Sequence, residues 1–163
     1  AQGYSDDSCW ARGQAWSIYG FLLNYRYTGD ATFLETARRT ADYFLANLPE
    51  DRVAYWDLIF KDGSSEERDS SAAAIAAWGL YEMAYSLPAG PERQRYQEAA
   101  HGILASLAQN YATCDYSQSN ALLLHGVYDK PTKRGVDEGT LWGDYFYLEA
   151  LMRTLNPNWQ LYW

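Results

Sequence analysis

The stretch Asp69-Ser70-Ser71-Ala72-Ala73-Ala74-Ile75-Ala76-Ala77-Trp78-Gly79-Leu80-Tyr81 decides the fold. Asp69, Ser70 or Ser71 is expected to cap a helix running to Leu87, because each offers a side-chain oxygen to the free N–H groups of a first turn. The alanine run lets neighbouring helices approach closely, which places this helix in the interior of a bundle. Pro88-Ala89-Gly90-Pro91 breaks it.

The same design recurs on either side. From Ser8 or Trp10 to Tyr27, the residues Trp16, Tyr19, Gly20, Leu23 and Tyr27 recur at three- and four-residue steps, with Asp6, Asp7 and Ser8 as candidate caps. A second helix covers about Ala31 to Leu48, with Phe33, Ala37, Ala41, Phe44, Leu45 and Leu48 as its stripe and Pro49 as its stop. A fourth covers about Glu92 to Tyr111. A fifth runs from about Thr140 to Leu155, before Pro157 and the aromatic tail Trp159, Tyr162 and Trp163. The segments 50–68 and 113–139 read as loops, the latter carrying the basic cluster Lys130, Lys133 and Arg134.

Shifting Gly20-Phe21-Leu22 by 59 residues lands on Gly79-Leu80-Tyr81, and shifting Phe33 and Ala37 by 63 lands on Tyr96 and Ala100. Helical hairpins repeating at this period make an all-α stacked array or a closed α/α toroid. The odd-numbered helices hold the small residues and Trp, so they form the inner layer. Their lead-in segments, the opening stretch, Tyr55 to Ser71 and Lys130 to Trp142, then meet at one rim.

With 163 residues the chain fits one domain with a sizeable core. Its net charge of −8 argues against nucleic acid, which needs phosphates neutralised by Lys and Arg. No apolar run is long enough for a membrane span. Aromatics reach 17 %, more than a core of this size usually needs, which favours stacking surfaces. Cys9 and Cys114 lack zinc-type spacing and read as two free, buried or half-buried thiols; no metal site or cofactor is indicated. The chain begins at Ala1 inside a motif-like segment, which points to residues preceding it.

Chemistry is densest between Gln2 and Trp16, where an amide, carboxylates, a guanidinium and two indoles share fifteen residues. Such a set suits a sugar, whose edge offers hydroxyls and whose face is apolar. The same residues also have structural roles open to them: an ion pair of Arg12 with Asp6 or Asp7, and inner-helix packing for Trp16. Asp69 and Ser70 fit caps, His101 a solvated outer helix, and His125 a satisfied loop position, while Asp144 and Glu149 fit structural roles.

Gln2-Gly3-Tyr4-Ser5-Asp6-Asp7 with Trp10-Ala11-Arg12-Gly13-Gln14-Ala15-Trp16, Tyr55-Trp56-Asp57, Arg68-Asp69-Ser70-Ser71-Ala72-Ala73, His125-Gly126 and Gly135-Val136-Asp137-Glu138 through Trp142-Gly143-Asp144-Tyr145 follow one another in family order. The chain resembles, over essentially its whole length, the C-terminal half of unsaturated glucuronyl hydrolases. The resemblance implies that residues 1–163 form one domain, about half of an (α/α)6 barrel. It implies an intact glycosidase that removes 4,5-unsaturated glucuronic acid from lyase-generated oligosaccharides by hydrating the enol ether. In that chemistry one aspartic acid protonates C4 and then, as carboxylate, activates water for attack at C5.

The family's catalytic aspartates have no counterpart in this chain. What the resemblance carries over is a substrate-binding set, Gln2, Arg12 and Trp16. The loop positions that bind a sulfate in some relatives read here as Asp129, Thr132 and Arg134, of which Thr132 and Arg134 remain candidates. The expected partners are an unsaturated oligosaccharide and a missing N-terminal half, or a second copy, over the open face. The expected compartment is cytoplasmic, with periplasmic as the alternative. Two other functions fit the residues: a non-catalytic carbohydrate-binding module, and an α/α-barrel sugar epimerase or isomerase using Asp6, Asp7, Asp57 or Asp137 as acid and base.

Overall fold

The computed structural model describes residues 1–163 except 115, 157 and 160–163, so Pro157, Tyr162 and Trp163 lie outside the described residues. Its helices are α1 (Ala11–Thr28), α2 (Ala31–Ala46), α3 (Ser70–Ser86), α4 (Pro91–Ser106) and α5 (Leu141–Leu155). α3 packs against α1, α4 and α5, and α2 lies on α1. The odd helices thus form one inner row and α2 and α4 an outer layer, an arc of a helical-hairpin toroid.

Sequence explains why α3 sits centrally. Every residue from Ser70 to Ala84 is buried, a helix without a polar face, as its alanine-rich composition requires. It lies tight against α1 at Gly79, where a Cβ would lie 3.0 Å from Ile18 Cγ2 and 3.2 Å from the Tyr19 backbone nitrogen. Asp69 caps it, accepting from Ser71 N and Ala72 N. In the outer layer α2 buries Leu34, Ala37, Ala41 and Phe44, a stripe at helical spacing, and Asp30 caps it through Thr32 N.

Four expectations are corrected. Asp6, Asp7 and Ser8 do not cap α1: the cap position is Trp10, without a side-chain cap bond, and Ala11 N donates instead to Trp56 O at 3.1 Å. Tertiary pairing here replaces local capping. The 113–139 segment is not all loop, since Gly126–Asp129 (β1) and Arg134–Glu138 (β2) form an antiparallel hairpin. Strands of four and five residues are too short for alternation to reveal them. Helix four ends at Ser106 and passes into one π-helical turn, Leu107–Tyr111, which buries both of its end residues. Cys114 is exposed, against the expectation of a buried or half-buried thiol, whereas Cys9 is half-buried as expected; both are free. Among the described residues no helix is long and apolar enough to cross a membrane.

Candidate functional site

The lead-in segments of α1, α3 and α5 meet at one rim. Trp10 pairs with Asp57 and Tyr55 with Arg68 as isolated bridges, and Asp69 N donates to Ala54 O at 2.8 Å. Asp57 is fully buried, and its carboxylate accepts from Tyr4 N, Ser8 Oγ and Ile59 N at 2.9, 2.7 and 3.1 Å. Those bonds anchor the opening segment and occupy a carboxylate that the epimerase alternative needs free. Asp6 and Asp7 are exposed, and Asp137 Oδ1 is bonded to His125 Nδ1.

Arg12, on the first turn of α1, is 3 % exposed. Its guanidinium carbon lies 4.9 Å from the Trp10 ring centroid, 5.0 Å from that of Trp142 and 5.9 Å from that of Tyr128. A planar cation suits three aromatic faces better than an ammonium does. Arg12 Nη2 donates to the Tyr128 carbonyl, and Gln2 Nε2 donates to the same oxygen at 3.2 Å. Arg134 also reaches this tyrosine, 5.6 Å from its ring centroid. Gln2, Arg12 and Arg134 therefore gather around Tyr128.

Thr132 lies apart, on the exposed hairpin turn, its N–H donating to Asp129 Oδ1 at 3.3 Å. Trp16, one helical turn beyond Arg12, meets Phe146 edge-on at 5.2 Å and Tyr19 at 6.2 Å. Arg12 and Trp16 on α1 thus face Trp142 and Phe146 on α5, two rungs between inner helices. Within the basic cluster Lys130 is tied to Glu66 and Glu67, and Arg134 lies over the Tyr128 ring.

The anion nearest Arg12 is Asp69, at 4.0 Å, and not Asp6 or Asp7. Besides capping α3, Asp69 accepts from Ser71 Oγ at 2.5 Å and Val127 N at 3.3 Å, and Ser71 Oγ in turn accepts from Trp142 Nε1 at 3.0 Å. One buried carboxylate thereby fixes the hairpin and the indole that covers Arg12. Burial pushes its pKa up, opposed by Arg12, Ser71, Val127 and Ala72. Burial pulls the Arg12 guanidinium down, opposed by Asp69, Tyr128 and Asp129.

Tyr128, Trp142 and the second role of Asp69 were missed by sequence reasoning. The hairpin that presents Tyr128 carries no local signal, whereas Trp142 stood in a quoted motif. Beside this cluster Tyr128, Gly135, Glu138, Thr140 and Trp142 line a cleft of about 350 Å³. A larger one, about 730 Å³, lies at the opposite ends of the inner helices, between Tyr81, Tyr85, His101 and Arg153. His101 is exposed, as expected for an outer helix. Asp144 accepts from Leu122 N and Leu123 N, and Glu149 from Tyr145 and Trp159, so both serve structure. Among the described residues no group of three His, Cys, Asp or Glu side chains is placed to hold a metal ion.

No family model matches the chain. It is 50 % identical over 163 residues to the unsaturated chondroitin disaccharide hydrolase of Streptococcus pneumoniae, covering 99 % of this chain and 41 % of that protein. It is 49 % identical over 153 residues to the unsaturated glucuronyl hydrolase of Bacillus sp. strain GL1, covering 93 % and 41 %. A variant of the Streptococcus agalactiae unsaturated glucuronyl hydrolase, solved with dGlcA-GalNAc6S, superposes with a TM-score of 0.95 at 50 % identity, over 100 % of this chain and 43 % of that one. The chain spans about two fifths of the length of the curated relatives it matches.

Proposed function

We propose that this chain, similar along its length to unsaturated glucuronyl hydrolases and folded as the matching part of their α/α toroid, is the C-terminal part of a glycosidase. The intact enzyme releases 4,5-unsaturated glucuronic acid from lyase-generated oligosaccharides. The observation that carries this is the Arg12 cluster: a buried fork-shaped cation between indoles, joined by Gln2 and Arg134 around Tyr128, at the rim where the inner helices begin.

In this reading residues 1–163 form one domain that binds and orients, and catalysis comes from outside it. Arg12 and Gln2 hold the uronate, Trp16 and Trp142 offer ring faces, and Arg134 with Thr132 meets substituents of the next sugar. An aspartic acid from the rest of the protein protonates C4 of the double bond. As carboxylate it then takes a proton from the water that attacks C5, and the resulting hemiketal opens to release the sugar.

The rest of the protein also covers two surfaces. Gly20, the repeat equivalent of Gly79, has no heavy atom within 4 Å of where its Cβ would be, whereas Gly79 is pressed against α1. On α5, Leu141, Leu148 and Leu155 are 82 %, 49 % and 79 % exposed along one stripe. An inner helix on the first surface and a second neighbour on the other would bury both. Two free thiols fit a cytoplasmic location.

The test is loss of the ultraviolet absorbance of an unsaturated uronyl disaccharide. The whole protein is expected to abolish it, and residues 1–163 alone to bind the sugar without turnover. Turnover by the isolated chain would overturn the division of labour, and failure of the whole protein would overturn the substrate class. Tight binding with no turnover by either would favour a carbohydrate-binding module.

A further inference from the structure

His125 and Asp137 both belong to motifs that the Arg12 cluster does not use. Both are non-glycine residues with left-handed backbones, φ 62° and φ 61°; His125 immediately precedes β1 and Asp137 lies near the end of β2. β1 and β2 pair Gly126 with Glu138 and then Val127 with Val136, so Asp137 is the extra residue of a bulge. His125 Nδ1 lies 2.6 Å from Asp137 Oδ1, and Tyr111 meets the imidazole edge-on at 5.8 Å. A left-handed backbone at two side-chain-bearing residues persists where surroundings enforce it, and such strain gathers at functional sites.

The geometry points to His125 and Asp137 as positioning residues for the Arg12 cluster, their side-chain bond locking the bulge that sets the hairpin's register. The backbone of His125 is fixed to α3, since its carbonyl accepts from Ser70 N at 3.0 Å, and two residues on Val127 N donates to Asp69. Its side chain is fixed to β2. The pair therefore ties both strands to the α3 N-terminus. Gly126 permits this closeness, because a Cβ there would lie 2.7 Å from Glu138 O. A slip of one residue between strands turns every group to the opposite face. Because β1 is held to α3, such a slip falls on the side chains of β2 and would carry Arg134 away from the Tyr128 ring. Both side chains are about half exposed, 46 % and 53 %, so the pair is placed to set geometry more than to fill a core.

The inference rests on the proposed function only where substrate is concerned, and its test has one arm without substrate. His125→Asn keeps a nitrogen donor at the Nδ1 position and tolerates the left-handed region, as does His125→Gly without the donor. Asp137→Asn and Asp137→Gly make the matching pair. In the whole protein, amide exchange at Val127 and Val136 is expected to quicken about 3- to 10-fold in the Gly variants and to stay within about 2-fold in the Asn variants, the range one hydrogen bond supports. KM for an unsaturated disaccharide should rise similarly in the Gly variants, with kcat little changed and the Asn variants rescued. Combining the two Gly changes should add nothing to either alone. Unchanged exchange in the Gly variants, or equal losses in the Asn and Gly variants, overturns the inference. The expected exchange pattern in a protein that turns over no unsaturated uronate supports the inference and rejects the proposed function.

Discussion

Arg12 and Asp69 face each other at 4.0 Å, Nε to Oδ2, both side chains buried and neither of those two atoms holding a hydrogen bond. Both pKa values move against ionisation, because burial outweighs the attraction between the partners. For Asp69 the raised value means that the fold gains most below the ordinary carboxylate pKa, about 3.9, and loses that gain as pH rises through the folded-state value. Asp69→Asn keeps a good helix cap and removes the buried charge. Since the raised value already counts the attraction of Arg12, this change should raise stability at pH 7, with the gain shrinking toward pH 4, as measured by urea unfolding. A loss at pH 7 would show that the pair is net stabilising.

Glu82 presents the contrasting case. From the middle of the inner row it bonds both Arg26 on α1 and Arg153 on α5, and Arg153 lies 5.2 Å from the Trp78 ring centroid. Removing this carboxylate takes a buried anion from both arginines at once. Glu82→Ala should cost about 3–5 kcal/mol, and Arg26→Ala, whose side chain is 31 % exposed, about 1 kcal/mol or less in the same unfolding measurement.

Substituting the paired glycines should have opposite effects. Gly79→Ala pushes a methyl group onto Ile18 and the Tyr19 backbone and should destabilise by about 1–3 kcal/mol. Gly20→Ala meets open space and should stabilise the isolated chain by up to about 1 kcal/mol through helix propensity. If an inner helix abuts Gly20 in the whole protein, calorimetry should find the same change destabilising there.

Two tyrosines set the alkaline limit. Tyr96 donates to Asp42 and Tyr111 to Asp51, and burial followed by these carboxylates pushes both phenols well above their usual value. A raised folded-state value means full stability below the unfolded pKa, about 10, and loss as pH climbs from there toward the folded-state value. Tyrosinate absorbance should show these two ionising only with unfolding. Tyr96→Phe and Tyr111→Phe should each make stability less steep in pH above 10.

Arg12→Lys tests the proposed binding role of Arg12 directly. Lysine keeps the charge and loses both the planar stack and the fork. In the whole protein KM for the unsaturated disaccharide should rise about 10- to 100-fold, with a smaller change in kcat. An unchanged KM would remove Arg12 from the binding set.

The helices were legible because their signals are local. Phe44, Ala41 and Ala37 repeat at helical spacing and are all fully buried, and Asp69 stands where a cap should. The meeting of the three lead-in segments followed from the repeat. The partners were not legible: Arg12 pairs across 57 positions with Asp69, and Tyr4 N bonds Asp57 across 53. Such contacts depend on how segments cross, which no local pattern records. The hairpin stayed hidden because its strands are short and its bulge relies on two left-handed residues, His125 and Asp137, that are not glycine.

The oxygen that receives both Gln2 and Arg12 is a main-chain carbonyl. Exchange of the side chain at position 128 would leave that acceptor in place so long as the strand keeps its path. The hairpin can therefore change the side chain it presents beside the cluster while the guanidinium stays seated. Under the proposed function, substrate preference would then be open to single-residue evolution beside a fixed anchor.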